Sequence, residues 1–124
     1  MESYLKELNI DQQKAVKHVK GPLMVIAGAG SGKTRVLTYR IVHLLKNGVS
    51  PFNILSLTFT NKASKEMRNR IESIVGESIS KSIWMGTFHS VFSRILRAES
   101  EKINYPTNFT IYDTDDSKSL VKSI

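Results

Sequence analysis

Three alternating glycines, a lysine and a threonine stand together at Gly28-Ala29-Gly30-Ser31-Gly32-Lys33-Thr34, directly after Ala27. The spacing fits a phosphate-binding loop, in which a glycine, four further residues and then Gly-Lys-Thr or Gly-Lys-Ser surround a triphosphate. Ala27 occupies the first glycine position, a departure of one methyl group. Closely spaced glycines let successive backbone N–H groups converge on phosphate oxygens with no side chain in the way. A helix beginning at Lys33 would add its partially positive N-terminus. Lys33 is then placed to reach the β- and γ-phosphates, and the Thr34 hydroxyl to coordinate Mg²⁺. The competing reading is a flexible glycine-rich turn that happens to precede a lysine. A position between a strand and a helix favours phosphate.

Those elements can be read from apolar periodicity. Leu23-Met24-Val25-Ile26-Ala27 is a buried-strand candidate ahead of the loop, and a helix follows from about Lys33 to Lys46 with Leu37, Ile41, Leu44 and Leu45 on one face. Asn47-Gly48 ends it. Ile54 to Phe59 reads as a second strand, and residues 61–75 as a second helix with Ala63, Met67, Ile71 and Ile74 inward. Ile83-Trp84-Met85 is a weaker strand. The helix after it carries Phe88, Val91, Phe92, Ile95 and Leu96 at helical spacing. Phe109 to Tyr112 and a helix from about Thr114 complete the alternation, which predicts an α/β fold with a parallel sheet and helices on both faces. The last amphipathic pattern is still running at Ile124, so the expectation is an incomplete piece of something longer.

Composition narrows the class. The chain has 124 residues, 18 Lys plus Arg against 11 Asp plus Glu, and a formal net charge of +7. That excess favours an anionic partner, nucleic acid ahead of a membrane surface. With no cysteine, disulfide scaffolds, Cys-based zinc sites and cysteine nucleophiles are excluded. No apolar run approaches a bilayer span and the first residues lack a signal peptide's pattern, so a cytoplasmic location is expected. No repeat or linker divides the chain.

Small-molecule kinases, GTPases, ABC-type ATPases and helicases all share the phosphate loop, and three other segments discriminate among them. Leu8-Asn9-Ile10-Asp11-Gln12-Gln13-Lys14-Ala15-Val16 lies upstream, Thr58-Phe59-Thr60-Asn61-Lys62-Ala63-Ser64-Lys65-Glu66-Met67 follows the second strand, and Thr87-Phe88-His89-Ser90 follows the third. The first resembles the Q motif, and the others two DNA-contacting motifs, of superfamily 1 DNA helicases of the UvrD, Rep and PcrA type. With the phosphate loop, the resemblance covers essentially the whole chain. It implies a RecA-like, P-loop NTPase architecture in which residues 1–124 are the N-terminal part of the ATP-binding motor domain (1A). An inserted subdomain would begin at about residue 100, where Phe109 to Asp116 resembles the exit from the motif-bearing core. By the same resemblance the parent is bacterial-type, uses ATP and Mg²⁺, and moves 3′ to 5′ along DNA at single-strand/duplex junctions, with further helicase domains as partners and no membrane.

Residue by residue, the resemblance makes Gln12 the adenine contact; a carboxamide offers one donor and one acceptor, which suits the N6 and N7 edge. Alone, a surface glutamine would be the plainer reading. Ala27 to Thr34 would hold the phosphates, and Arg35 matches an arginine that lies against the nucleotide, or else is a solvated helix residue. Phe59 would stack a base, worth about 1–3 kcal/mol per base in other systems, or be a core aromatic at a strand end. Thr60, Asn61 and Lys62 would hold DNA phosphate near a helix N-terminus. Thr87, His89 and Ser90 would present donors to phosphate, although Thr87 also suits a helix N-cap. Phe88 is either DNA contact or core. His89 is a poor metal ligand, because His18 and His43 lie in unrelated segments.

Hydrolysis also needs carboxylates to anchor Mg²⁺ and to orient the attacking water. In the family an Asp-Glu pair after an apolar strand supplies them, and no such pair occurs here. Asp113 is the sole contender by context, yet Asp113-Thr114-Asp115-Asp116 better suits helix capping. The chain is therefore expected to bind Mg-ATP, with Lys33 and Thr34 as its part of the catalytic machinery, and not to turn it over alone. A non-catalytic nucleotide- or DNA-binding module is the alternative. A P-loop kinase is disfavoured, since the Gln12 and Phe59 segments would then be coincidences.

Overall fold

The computed structural model describes residues 3–28 and 32–124. The chain divides into two compact units, one up to Phe88 and one from His89 to Ile124.

The first unit opens with α1 (Ser3–Lys6) and α2 (Ile10–Lys17). α3 (Lys33–Lys46), β1 (Leu55–Thr58), α4 (Asn61–Val75), α5 (Glu77–Ser82) and β2 (Trp84–Thr87) follow. β1 and β2 pair in parallel, Leu55 with Trp84 through Thr58 with Thr87. Parallel partners need a crossover, and α4 with α5 provides it. α4 packs on both strands and α3 on α4.

Two apolar clusters hold this unit. Tyr4, Leu5, Leu8 and Val16 meet Val36 and Val42, which seats the N-terminal helices on α3. Ile41, Ile54, Met67, Ile71, Ile83 and Met85 join α3, α4 and the sheet. Polar ties support them. The Arg68 guanidinium donates to the carbonyls of Ser80 (2.6 Å), Ile83 (3.4 Å) and Met85 (3.3 Å), which anchors α4 to α5 and β2. The Tyr4 hydroxyl and His43 Nδ1 share a hydrogen bond of 2.9 Å. Tyr39 donates to the Glu7 carboxylate, and that bond is the main reason its phenol is held above its ordinary pKa.

Helix limits follow local chemistry. Gly32, the N-cap of α3, has φ +85° and ψ 24°, a left-handed conformation that glycine adopts without strain. Its α-carbon is also crowded, because a methyl group there would lie 2.8 Å from Gln12 Nε2. The Thr60 hydroxyl caps α4 by accepting from the Ala63 N–H at 3.1 Å. In the second unit, where α6 (Phe88–Glu99) continues from its first residue, Asp113 caps α7 (Thr114–Ser123) reciprocally with Asp116, as its sequence context predicts. Arg97 donates to the carbonyls of Thr107 (2.9 Å) and Phe109 (3.3 Å), with its guanidinium 4.6 Å from the Phe109 ring centre.

Several expectations need correction. Leu23 to Ala27 is irregular rather than a strand, with Met24 84% and Ile26 91% exposed. A strand is held by its ladder, and the one sheet among the described residues contains only β1 and β2. Phe109 to Tyr112 is irregular as well. Helices on both faces of the sheet are not realised: Ser56 and Met85 are buried, whereas Leu55 and Trp84, paired on the opposite face, stay exposed. In α3 the buried positions are Val36, Thr38, Ile41 and Val42, with Leu37 exposed and Leu44 and Leu45 half-buried. In α4 only Met67 and Ile71 of the four expected residues are buried, while Ala63 and Ile74 are exposed. In α6 Val91 is buried, but Phe88, Phe92 and Leu96 remain exposed.

Ile71 is 0% exposed at the centre of its cluster, so Ile71→Ala is expected to cost about 2–5 kcal/mol in urea unfolding, and Leu55→Ala far less. Equal losses would contradict this core. Gly32→Ala should lower stability by about 1–3 kcal/mol in the same assay, from left-handed strain, with the end of the Gln12 side chain shifting to make room. A neutral result would count against the described turn.

Candidate nucleotide and nucleic-acid sites

The first turn of α3 presents donors and basic side chains without an acid. The opening N–H groups of a helix have no partner inside it, and Gly32 brings no capping side chain to satisfy them. Lys33, Thr34 and Arg35 are exposed there, and no acidic residue lies in that turn. The first turn of α7 differs, with Asp115 and Asp116 in it and Asp113 as its cap. Thr34 is bound into the helix through its carbonyl, which accepts the Thr38 hydroxyl at 2.8 Å, a bond that does not use its own side chain. A group of several negative charges together with a Mg²⁺ ion suits this donor set, and Lys33 and Thr34 are the residues that would hold them. Ala27 is half-buried and Gly28 exposed ahead of the turn; Ala29, Gly30 and Ser31 lie outside the described residues.

Gln12 is brought to the same place. It is the third residue of α2, half-buried, with its Nε2 against the Gly32 α-carbon. Its backbone N–H donates to Asn9 Oδ1 at 2.9 Å, and its Oε1 accepts the Asn9 backbone N–H at 3.0 Å. Two segments 20 residues apart in number, the Gln12 motif and the end of the glycine loop, thus lie side by side. The reciprocal bond from Asn9 escaped the sequence reading. Its signal was present, since an N-cap residue followed three positions later by Gln is a capping-box pattern.

The second group lies at the carboxyl ends of the paired strands. Thr58 and Thr87 are partners, so Phe59 and Phe88, the next residues, emerge at one edge of the sheet. Their rings are 5.8 Å apart between centroids at 44°. Phe59 is 92% exposed and Phe88 43%, which removes the core reading for Phe59 and leaves Phe88 with an open face. The turn beneath Phe59 is fixed by the Thr58 hydroxyl, which lies 3.0 Å from the Thr60 carbonyl and 2.7 Å from the Ser64 hydroxyl. Thr60 is committed to capping α4, while Asn61 and Lys62 are exposed in its first turn. Thr87 ends β2 and does not lie in a helix. His89 and Ser90 are exposed in the first turn of α6 and belong to the second unit.

Comparison with known proteins identifies the family. Residues 8–124 match the family described as the UvrD/REP helicase N-terminal domain. An ATP-dependent DNA helicase PcrA of Staphylococcus epidermidis is 53% identical over 125 aligned positions, and the PcrA of Staphylococcus aureus is 50% identical over the same span. In both cases all of this chain is aligned, and it spans 17% of the relative's length. With a family match running from Leu8 to the last residue, the chain belongs to the UvrD/REP helicase N-terminal domain family.

Proposed function

We propose that the chain is the N-terminal part of the ATP-binding motor domain of a longer ATP-dependent DNA helicase, entering an inserted subdomain from about residue 100. The observation that carries the nucleotide half of this reading is the acid-free, lysine-bearing first turn of α3, opened by a left-handed glycine and met by Gln12. Backbone N–H groups from Gly28 to Thr34 and the Lys33 ammonium would grip the triphosphate, with Ala27 at the loop's entry and Arg35 beside the nucleotide. The Thr34 hydroxyl would hold a Mg²⁺ ion, which would supply positive charge to neutralise the phosphates. Gln12 would read the base.

The nucleic-acid half rests on the exposed Phe59 ring beside Phe88 at the carboxyl edge of the sheet. Crevices outside the carboxyl ends of parallel strands are the usual ligand sites of such folds. A base would stack on Phe59, and Asn61, Lys62, Thr87, His89 and Ser90 would engage the single-stranded backbone. Thr60 would act through its backbone and its cap. In the longer protein, nucleotide-driven closure of two motor domains would move the strand 3′ to 5′.

Turnover by this chain is not expected. Asp113, the acid whose context came nearest to a water-orienting role, is occupied in capping α7. Titration calorimetry should show Mg-ATP binding that Lys33→Ala removes, together with ATP hydrolysis well below about 1 s⁻¹. Lys33-dependent turnover at or above that rate would contradict the reading, as would the absence of binding heat. Phe59→Ala should weaken binding of a single-stranded oligonucleotide by about 1–3 kcal/mol without changing Mg-ATP affinity. An unchanged DNA affinity, measured by fluorescence anisotropy, would remove Phe59 from the DNA path.

A further inference from the structure

The contact between Asn9 and Gln12 fixes more than a helix end. A carboxamide can rotate half a turn about its last side-chain bond, which exchanges its oxygen with its NH₂ group. The two orientations present opposite hydrogen-bonding faces. Asn9 removes that freedom. Its backbone N–H can pair only with an acceptor, so the Gln12 atom 3.0 Å away must be the oxygen. The NH₂ group then lies at the other end of the amide, against Gly32 at the opening of α3. The Asn9 side chain completes the arrangement by accepting the Gln12 backbone N–H at 2.9 Å, which holds the two residues in register.

We propose that Asn9 is a positioning residue for base recognition, because its reciprocal bonds with Gln12 hold that amide in the one orientation that serves a 6-aminopurine such as adenine. The proposal rests on the reading of Gln12 as the base contact. An amide oxygen has two lone pairs, and Asn9 N–H takes one, so the same oxygen can also accept from an exocyclic amine. The NH₂ group can donate to a ring nitrogen on the same edge. Adenine offers that pairing, an acceptor at N7 beside a donor at N6; guanine offers two acceptors there and leaves the amide oxygen opposed. An amide held in advance loses no rotational freedom on binding, which converts orientation into affinity for the matching base.

A plain capping role would behave differently. Loss of an N-cap weakens α2 and would lower affinity for every ligand of the site alike. Base preference separates the two. The full 124-residue chain would be titrated with Mg-ATP, Mg-GTP and inorganic tripolyphosphate in wild type, Gln12→Ala, Asn9→Ala, Asn9→Gly and Asn9→Ser. Glycine is a tolerated N-cap without a side-chain acceptor, so Asn9→Gly answers the question should Asn9→Ala fold poorly. The backbone N–H of residue 9 survives in all three variants; what Asn9→Ala and Asn9→Gly remove is the Oδ1 bond that holds this N–H in register with the Gln12 amide, and serine keeps an acceptor at the cap.

The expected result is a wild-type preference for ATP over GTP that Gln12→Ala abolishes. Asn9→Ala and Asn9→Gly should reduce it by about threefold to tenfold with tripolyphosphate affinity unchanged, and Asn9→Ser should restore most of it. If Gln12→Ala loses the preference while Asn9→Ala and Asn9→Gly keep it, Asn9 has no positioning role and the proposal is overturned. Equal losses for all three ligands in the Asn9 variants would overturn it too, in favour of capping alone. If the wild type shows no preference, or Gln12→Ala retains it, the base-contact reading of Gln12 fails and takes the role of Asn9 with it.

Discussion

An α-helix begins with amide hydrogens that nothing inside the helix can accept, and proteins satisfy them with a capping side chain, with water or with a ligand. Around this chain's helices the first solution recurs: Asn9 caps α2, Thr60 caps α4 and Asp113 caps α7. The short α5 opens on Gly76 without a side-chain cap but carries Glu77 in its first turn, whereas α3 has neither cap nor acid. Its N-cap is Gly32, which has no side chain to offer, and its first turn carries Lys33, Thr34 and Arg35 without an acid. The amide donors of the first turn, which receive no side-chain cap, and the partial positive charge of a 14-residue helix stay together at one exposed end. The proposed nucleotide site depends on that lack of a side-chain cap.

The surrounding packing keeps that point in place. Val36 and Val42 anchor α3 against the N-terminal helices, and Ile41 anchors it against α4 and the sheet. The first contact also brings Gln12 to Gly32, and the second sets α3 on the helix that bridges β1 and β2. The aromatic pair Phe59 and Phe88 stands at the carboxyl edge of the same sheet, on a turn fixed by Thr58, Thr60 and Ser64. Within the first unit, Lys33 and Thr34 on α3 and Lys62 on α4 therefore sit on helices that pack against each other, and α4 packs on both strands. Coupling between such sites has a packed route to follow.

What could be read in advance was what local chemistry decides. Lys33 to Lys46 and Asn61 to Val75 form helices over the expected spans, since a glycine or threonine opens each and Asn47 or Gly76 closes it. The capping role of Asp113 was legible for the same reason. Helix faces were harder. In α3 Leu37 lost to Val36, Thr38 and Val42, and in α4 Ile74 stays exposed, because which stripe is buried depends on where neighbouring helices arrive and not on apolar spacing alone. Leu23 to Ala27 shows the limit most clearly: an apolar run has the composition of a strand, but a strand exists only with a partner, and pairing is not written in the run itself. The Arg68 bridge to three carbonyls and the Asn9 grip on Gln12 join elements whose approach is tertiary, although the second left a capping-box signature.

The account stands or falls on where a triphosphate touches the chain. Backbone amide NMR during titration with Mg-ATP reads this directly. It should move the signals of Gly32, Lys33 and Thr34 and the Gln12 side-chain NH₂ most strongly, with those of α7 unmoved. Saturable binding that leaves the first turn of α3 unperturbed, or that centres on another helix, would contradict the assignment.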